Sequence, residues 1–161
     1  IALLTISDTR SLADDSSGDQ LQRSLEAADH RLHERQLCPD DRYQIRRELS
    51  RWIADPEVDV VITSGGTGLT GRDGTPEAVV PLLDKTMEGF GELFRVLSFE
   101  SIGTSTLQSR CLAGVANGTF VFVLPGSLDA VSTAWDRLIR AQLDADTRPC
   151  NLAQLRARLK E

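Results

Sequence analysis

Glycines and hydroxyl side chains are concentrated between residues 62 and 78, in the stretch ITSGGTGLTGRDGTPEA. Glycine tolerates backbone conformations that turn N–H groups toward a ligand, and hydroxyl groups add further donors, a combination that suits a phosphate. A helix predicted to begin at Thr75 would direct its own free N–H groups toward the same place. We therefore predict an anion site here. The predicted contacts are Thr63, Ser64, Gly65, Gly66, Thr67 and Gly68.

Two known phosphate-binding motifs do not match this stretch. The P-loop ends in Gly-Lys-Ser/Thr, and GGTGLTGRD contains no lysine. The dinucleotide-binding motif GxGxxG is out of register with GGTGLTG, and no acidic residue lies where it would bind a ribose. Because glycine-rich turns after strands are common, a purely structural turn is the alternative interpretation.

Two other predicted strands also end in residues suited to a site. The apolar run 1–7 leads into Asp8, and the run 118–124 leads into a Pro-Gly-Ser sequence. In an open parallel sheet, ligands bind beyond the carboxyl ends of the strands, where the strand order reverses. The residues predicted to join the site from these ends are Asp8, Pro125, Gly126 and Ser127. For Ser127, the cap of the following helix is an equally good interpretation.

The elements that would position these residues alternate between strands and helices. Continuous apolar runs are typical of strands buried on both faces of a parallel sheet, and apolar residues at helical spacing indicate the helices. The predicted strands are 1–7, 31–38 at an edge of the sheet, 58–64 and 118–127. The predicted helices are 17–30, 40–56, 75–85, 89–101 and 128–145, and residues 102–117 are predicted as a polar loop leading to a short helix. This alternation predicts an α/β fold with a mostly parallel sheet between helical layers.

Length and composition favour one domain with no role in binding nucleic acid or spanning a membrane. A chain of 161 residues with 40% hydrophobic residues can form one core, so residues 1–161 are predicted as a single domain. The net charge of −6 and the lack of a basic cluster disfavour nucleic-acid binding. The opening apolar run is too short for a membrane span or a secretory signal. Since the sequence does not open with Met, we expect further residues upstream of Ile1.

The three cysteines are Cys38, Cys111 and Cys150. Their odd number and wide spacing match neither a disulfide framework nor a metal site. They are typical of reduced thiols, and a cytoplasmic location is therefore expected.

Five blocks of the sequence occur in the order found in a known family. The blocks are DDSSG, TSGGTGLTGRDGTPEA, GFGELFRVLSFESIGTSTLQSR, AGVANGTFVFVLPGS and TRPCN. They resemble the MoaB/Mog family of molybdenum cofactor biosynthesis proteins over essentially the whole chain, and most closely its bacterial MoaB branch. The resemblance implies a three-layer α/β/α fold and assembly into homotrimers or homohexamers. The helix predicted at 89–101 and the segment around Trp135 carry enough apolar character to support subunit contacts.

The resemblance also implies a site for molybdopterin and an adenine nucleotide. Catalytic members of the family transfer AMP from ATP to the terminal phosphate of molybdopterin, release pyrophosphate and use Mg²⁺. The two acids credited with catalysis and metal binding in the family fall here on Asp40, in a Pro-Asp turn, and on Asp73, after the glycine stretch. From the residue types alone, Asp40 could instead cap a helix and Asp73 could be an ordinary turn aspartate.

Polar residues away from the strand ends complete the predicted site. Ser105, Ser109 and Arg110 belong to a hydroxyl and amide cluster that suits a phosphate or a pterin if its loop faces the sheet edge. A helix cap followed by exposed polar residues is the alternative. Glu77 follows a proline at a predicted helix start, where its charge would also compensate the helix dipole. Arg72 could pair with a polyphosphate, but the favoured interpretation is a solvated residue.

Three functions are compatible with these observations. The presence of both acids favours an adenylyltransferase that acts on molybdopterin. The MoaB branch is tied less securely to adenylyl transfer than the Mog branch, so a protein that binds molybdopterin or a nucleotide without turnover is the second. Relatives that carry the same domain and hydrolyse nucleotides suggest the third, in which water splits a phosphoanhydride.

Overall fold

Six β-strands form one sheet in this computed structural model, which describes residues 1–159. The strands are β1 (Ala2–Ile6), β2 (Glu34–Cys38), β3 (Val60–Ser64), β4 (Lys85–Thr86), β5 (Leu112–Ala116) and β6 (Thr119–Leu124). Their order across the sheet is β2-β1-β3-β6-β5-β4. The first four strands in this order run parallel, whereas β5 is antiparallel to both of its neighbours.

Helices cover both faces of the sheet. They are α1 (Ser16–Ala27), α2 (Arg42–Ala54), α3 (Thr75–Val79), α4 (Glu88–Ile102), α5 (Leu128–Ala134), α6 (Arg140–Leu143) and α7 (Leu152–Leu155). A π-helical turn at Trp135–Ile139 connects α5 to α6, and 3-10 turns occur at Leu12–Asp14, Val80–Leu82, Gly103–Gln108 and Arg156–Arg158. Residues of α1, α4 and α5 share one buried cluster, and those of α2 and α3 share the other. The predicted three-layer α/β/α fold with a mostly parallel sheet is confirmed.

The central strands are apolar because both of their faces are covered. Every residue of β1, β3 and β6 is buried, as their continuous apolar runs predict. Successive side chains of a strand point to opposite faces, so Leu3 lies in the first cluster and Leu4 in the second. Trp135 and Trp52 are buried in these two clusters respectively. The edge position predicted for the strand at 31–38 is also confirmed, because β2 is the outermost parallel strand.

Side-chain caps fix the starts of three of the four helices that follow the parallel strands, whereas α3 is preceded by Gly74 and has none. Asp15 accepts a hydrogen bond from the amide of Gly18 at the start of α1. The Asp41 carboxylate accepts from two amides in the first turn of α2. Ser127 accepts from the amide of Ala130 in α5, at 3.2 Å. The cap interpretation of Ser127 is thereby confirmed, and in the Asp40–Asp41 pair the cap is Asp41.

The prediction of a short helix after the loop at 102–117 is wrong. Residues 112–116 form β5, which pairs antiparallel with β6 through a turn at Asn117 and Gly118. Both turn residues have positive φ angles, 49° and 81°. An Asn-Gly pair between two apolar runs favours a hairpin, and this signal could have identified β5.

The helix predicted at 75–85 is shorter than expected. Helix α3 ends at Val79, and a 3-10 turn at Val80–Leu82 follows. Pro81 lies in that turn and has no N–H group with which to continue an α-helix. The chain then pairs with β5 through the two residues of β4, which the sequence did not predict.

The segment after α6 packs back onto the sheet. Asn151 is buried and caps α7 by accepting a hydrogen bond from Gln154. Leu152 and Leu159 pack against the first cluster. The predicted domain extends to residue 161, but residues 160 and 161 lie outside the described part of the chain. Within residues 1–159, no helix is both long enough and apolar enough to cross a membrane.

Candidate functional site

The predicted site residues that follow the four parallel strands come together at one edge of the sheet, where these strands end. β1 lies between β2 and β3, so the strand order reverses there, which is where open α/β sheets bind ligands. Asp8 follows β1, Asp40 follows β2, Gly65 follows β3 and Pro125 follows β6, each within two residues of the strand end. The topology therefore brings together four segments that are far apart in sequence.

The turn after β3 requires glycine at two successive positions. Gly65 and Gly66 have φ angles of 102° and 62°, in the region that other residues rarely adopt. A Cβ atom on Gly65 would collide with the carbonyl oxygen of Ile6. On Gly66 it would collide with the hydroxyl of Thr75 and lie 2.6 Å from Oδ2 of Asp40. The turn therefore passes directly beside one of the two predicted metal ligands.

Two amides of this turn remain available for a ligand. Thr63 and Ser64 lie inside β3, and the amide of Gly65 donates to the carbonyl of Leu124 at 3.0 Å. Within residues 1–159, no hydrogen bond uses the amides of Gly66 and Thr67. Of the six residues predicted to contact an anion, these two present free N–H groups.

Two hydroxyl groups beneath the turn also lack partners. Oγ1 of Thr63 and Oγ1 of Thr75 are buried, and neither forms a hydrogen bond with the described residues. The amide of Thr75 donates a hydrogen bond to the carbonyl of Gly66 at 3.0 Å, so α3 begins directly beside the turn. The start of α3 therefore lies where the sequence predicts it.

Asp40 and Asp8 are linked through the backbone. Oδ1 of Asp8 accepts from the amide of Asp40 at 3.0 Å and from the guanidinium of Arg72 at 2.8 Å. Oδ1 of Asp40 accepts from the amide of Gly74 at 3.2 Å. Arg72 is thus an ion-pair partner of Asp8, a contact that the prediction of a solvated side chain missed. No local pattern could have found it, since the pair is 64 residues apart in sequence.

Asp73 is held by the loop in which it lies. Its Oδ2 accepts from the amide of Thr70 at 2.9 Å and from the Thr70 hydroxyl at 2.6 Å. A Cβ atom on Gly68 would lie 2.7 Å from the same oxygen, so the carboxylate packs against the glycine turn. The hydrogen bonds of Asp73 are therefore those of a turn aspartate, the alternative interpretation. Its carboxylate nevertheless lies beside the predicted anion site.

The two acids have opposite pKa shifts. Burial raises the pKa of Asp40, and the charges of Asp73 and Asp8 act in the same direction. Hydrogen bonds from the side chain and the amide of Thr70 hold the pKa of Asp73 below its ordinary value. A bound cation would favour the ionised form of Asp40, because it would offset the neighbouring negative charges.

The donor set at this edge fits a magnesium ion. Within residues 1–159, no group of three or more Asp, Glu, His or Cys side chains forms a metal cage. Mg²⁺ commonly uses only one or two carboxylates and completes its coordination with water and substrate phosphates. Oδ2 of Asp40 accepts no hydrogen bond from the described residues and faces the turn, so this oxygen is free for such a role.

Arg110 holds the glycine stretch together. Its Nε donates to the carbonyl of Thr67 at 3.1 Å, and one terminal nitrogen donates to the carbonyl of Asp73 at 2.9 Å. The other terminal nitrogen pairs with the carboxylate of Glu77. Partial burial acts to raise the pKa of Glu77, but the hydrogen bond from Arg110 holds this pKa below its ordinary value. These contacts make Arg110 a brace for the loop, and the ligand contact predicted from sequence stays a prediction.

The exit of β6 lies against the glycine turn. A Cβ atom on Gly126 would lie 3.1 Å from Cα of Gly65. The carbonyl of Gly126 accepts from the hydroxyl of Ser17 at 2.9 Å and from Arg10 at 3.3 Å. Arg10 and Ser17 were not predicted as site residues, and both come from the segment that follows β1. They hold the β6 exit in place beside the turn.

The hydroxyl and amide cluster of Ser105, Ser109 and Arg110 is only partly connected to the site. Ser105 is exposed on the 3-10 turn at Gly103–Gln108, and Ser109 follows it. Within the described chain, neither side chain forms a hydrogen bond with the glycine stretch. Of these three residues, only Arg110 forms hydrogen bonds with the glycine stretch in the described chain.

Comparison with known proteins places these features in a family context. The model of the MoCF_biosynth family, described as a probable molybdopterin binding domain, matches residues 2–145. The chain is 54% identical over 151 residues to molybdenum cofactor biosynthesis protein B of Escherichia coli strain K12, covering 94% of this chain and 89% of that protein. It is 42% identical over 146 residues to the protein of the same name from Staphylococcus aureus strain Mu50, covering 89% and 86%.

Solved structures show the same fold. A crystal structure of a molybdenum cofactor biosynthesis protein B superposes with a TM-score of 0.89 and 39% identity, covering 99% of this chain and 94% of that one. The tungsten cofactor synthesizing protein MoaB from Pyrococcus furiosus has a TM-score of 0.77 and 35% identity, covering 85% and 88%. The resemblance inferred from the five sequence blocks is therefore confirmed.

Proposed function

Because this chain belongs to the MoCF_biosynth family of probable molybdopterin-binding domains, we propose that it is a molybdopterin adenylyltransferase of molybdenum cofactor biosynthesis. It binds molybdopterin and ATP, transfers AMP to the terminal phosphate of molybdopterin and releases pyrophosphate. An oxygen of the molybdopterin phosphate attacks the α-phosphorus of ATP, and the bond from that phosphorus to pyrophosphate breaks. Since the substrate brings its own nucleophile, the protein needs neither a serine nor a cysteine nucleophile.

One observation carries the proposal: two carboxylates flank a glycine turn that has unpaired amides. The free N–H groups of Gly66 and Thr67 suit phosphoryl oxygens, and Asp40 and Asp73 adjoin the same turn. Asp40 and Asp73 would hold Mg²⁺, which when bound neutralises charge on the reacting phosphates. The protein then positions two anions that repel each other, which is the main requirement of phosphoryl transfer.

Pyrophosphate release tests this function directly. Purified protein is incubated with molybdopterin, ATP and MgCl₂, and pyrophosphate is measured over time. We expect turnover in the wild type and a rate lower by about a hundredfold or more in Asp73→Asn, with molybdopterin affinity largely retained. Asp136→Asn, which removes an exposed acid from the π-helical turn, is the matched control and should keep the wild-type rate.

The outcomes of this assay separate the candidate functions. An unchanged single-turnover rate in Asp73→Asn would refute the role of that acid. Molybdopterin binding without pyrophosphate above background would instead indicate a binding protein without turnover. Phosphate or pyrophosphate release that does not require molybdopterin would indicate hydrolysis of the nucleotide.

We also propose that the protein works as a homotrimer or homohexamer. Four apolar side chains of α4 are between 45% and 62% exposed, and they recur every third residue in a stripe that winds along the helix surface. They are Leu93, Val96, Phe99 and Ile102. An apolar stripe of this kind on a single chain supports a subunit contact. Trp135, in contrast, is buried in the core and offers no surface for such a contact.

We further propose that the protein acts in the reducing environment of the cytoplasm. Cys38, Cys111 and Cys150 are all free thiols in this fold. Proteins of oxidising compartments tend to pair their cysteines, so three free thiols support this location.

A further inference from the structure

A shallow groove of about 320 Å³ lies between the start of α2 and the loop that follows the glycine turn. Asp40, which the proposed function gives to the magnesium ion, lines this groove. Arg42 and Tyr43 line it from α2, and Arg72 lines it from the loop. The groove therefore connects the acidic centre with an aromatic ring and two cationic side chains.

The ring of Tyr43 is held in place although it is exposed. The side chain is 74% exposed and lies in the first turn of α2. The guanidinium of Arg46 lies over the ring, 5.6 Å from its centroid. Arg46 is itself fixed, because it donates to the carbonyls of Glu77 and Ala78 at 3.0 and 3.1 Å. The ring is thus supported by a fixed cation while most of its surface faces solvent.

The charges around the groove suit a chain of phosphates. Arg42 is exposed at the start of α2, and Arg72 is 67% exposed with its guanidinium paired to Asp8. Both line the same groove as the ring of Tyr43 and the carboxylate of Asp40. A planar aromatic group attached to a polyphosphate matches this combination of an aromatic ring, two cations and a carboxylate that could bind a metal. Aromatic side chains bind such groups by stacking, which recognises the flat face of a base.

We propose that Tyr43 is the platform on which the base of ATP stacks, with the phosphates passing Arg42 and Arg72 toward Asp40. The proposal rests on the proposed function, since it assigns a place to the nucleotide of that reaction. Its chemistry is that of a nucleoside triphosphate, in which the phosphates supply the charge and the base supplies the stacked ring. Tyr43 is then a residue that binds substrate and takes no part in bond making.

Calorimetric titration with two ligands isolates the contribution of the base. MgATP and magnesium tripolyphosphate are titrated into the wild type, Tyr43→Ala and Tyr43→Phe. We expect Tyr43→Ala to weaken MgATP binding by about tenfold and to leave tripolyphosphate affinity unchanged, because only ATP carries a base to stack. Tyr43→Phe keeps the ring and should retain the affinity of the wild type. Thermal unfolding of each variant checks that the fold is intact.

A second pair of variants tests the path of the phosphates. Arg42→Gln should weaken both ligands by a similar factor, since it removes a charge that both of them meet. Arg23→Gln removes an exposed charge from α1, on the opposite layer of the fold, and should change neither affinity. Equal affinities in Arg42→Gln and the wild type would overturn this part of the proposal.

Three results would overturn the role of Tyr43. If the wild type and Tyr43→Ala bind MgATP equally well, Tyr43 does not stack with the base, while the proposed function stands. If Tyr43→Ala weakens 6-hydroxymethylpterin phosphate and leaves MgATP unaffected, the ring serves the pterin substrate instead. If the wild type does not bind MgATP at all, the platform and the adenylyltransferase function both fail.

Discussion

At the scale of single residues, the site depends on glycines that lack a Cβ atom as much as on functional side chains. Gly66 has a φ angle of 62°, and its missing Cβ leaves room for the hydroxyl of Thr75 and the carboxylate of Asp40. Any side chain here would push Asp40 away from the turn or twist the backbone that carries the free amides. Both the ligand site and the conformation of the turn therefore require glycine at position 66.

Replacing Gly66 by alanine should weaken ligand binding without unfolding the protein. We expect Gly66→Ala to lower the affinity for molybdopterin by about tenfold or more and the free energy of unfolding by about 1–3 kcal/mol, because the new Cβ is strained and crowded. Gly89→Ala is the matched control, since nothing lies within 4 Å of its added Cβ. Ligand titration and urea unfolding measure the two effects. Equal molybdopterin affinity in Gly66→Ala and the wild type would contradict the anion site.

Residue types predicted the parts of the site, but not the contacts among them. The glycines were predicted from one short stretch, because turn chemistry is local, whereas Asp40 and Asp73 were assigned through the family resemblance. The contacts of Arg110 and Arg72 were not predicted, because their partners are distant in sequence. Arg110 contacts Thr67, 43 residues away, and Arg72 contacts Asp8, 64 residues away. Long side chains with several donors take whatever carbonyls and carboxylates the fold provides. Their partners depend on tertiary structure that spacing does not encode.

At the scale of elements, a buried ion pair connects α1 to β2. Arg35 donates to the carboxylate of Asp15 at 2.9 Å and to that of Asp19 at 2.6 Å. The side chain of Asp15 is fully buried and that of Arg35 is 13% exposed. Asp15 also caps α1 and accepts from the hydroxyl of Thr5 in β1 at 2.6 Å. The pair thus joins two strands and a helix close to the segment that supports the β6 exit.

Removing Arg35 should destabilise the protein far more than removing a surface arginine. We expect Arg35→Met to lower the free energy of unfolding by about 3–5 kcal/mol, because it leaves a buried carboxylate without its partner. Arg31→Met is the matched control, since Arg31 pairs with Glu57 at the surface, where the two side chains are 71% and 67% exposed. Its loss should cost less than about 1 kcal/mol. Urea unfolding at pH 7 measures both, and equal losses would contradict the importance of burial.

Elements were predictable where one local signal dominated. The strands β1, β3 and β6 follow from continuous apolar runs, since a strand covered on both faces needs no polar alternation. The strand β5 was missed because its small residues and glycine gave no strand signal strong enough to outweigh a helix. Its formation depends on pairing with β6 across the hairpin at Asn117–Gly118. The two-residue β4 depends in turn on β5, so no local pattern could reveal it.

At the scale of the whole molecule, the apolar stripe of α4 should control assembly. We expect the wild type to be a trimer or a hexamer at micromolar concentration, and Phe99→Glu to be a monomer, because a charge would be buried in the contact. Ser50→Glu adds the same charge to an exposed position on α2, in the opposite layer, and should not change the mass. Light scattering after size-exclusion chromatography gives the masses. A monomeric wild type would contradict the predicted assembly.

The overall architecture was predicted more completely than the order of the strands. Alternating strands and helices imply a layered α/β fold, because each buried strand needs helices on both faces. The alternation does not say that β6 lies between β3 and β5, or that β5 runs opposite to both of its neighbours. Those features follow from pairing between distant segments.

The central place of β6 has a consequence for biosynthesis. Residues 119–124 leave the ribosome after the other five strands, yet they separate β3 from β5 in the finished sheet. Until they emerge, the nascent chain carries an unpaired edge on β3 next to the glycine turn, a surface prone to mispairing with other chains. We expect a translational pause that keeps residues 119–124 inside the ribosome to increase aggregation of the nascent chain, whereas a pause after these residues have emerged should be harmless.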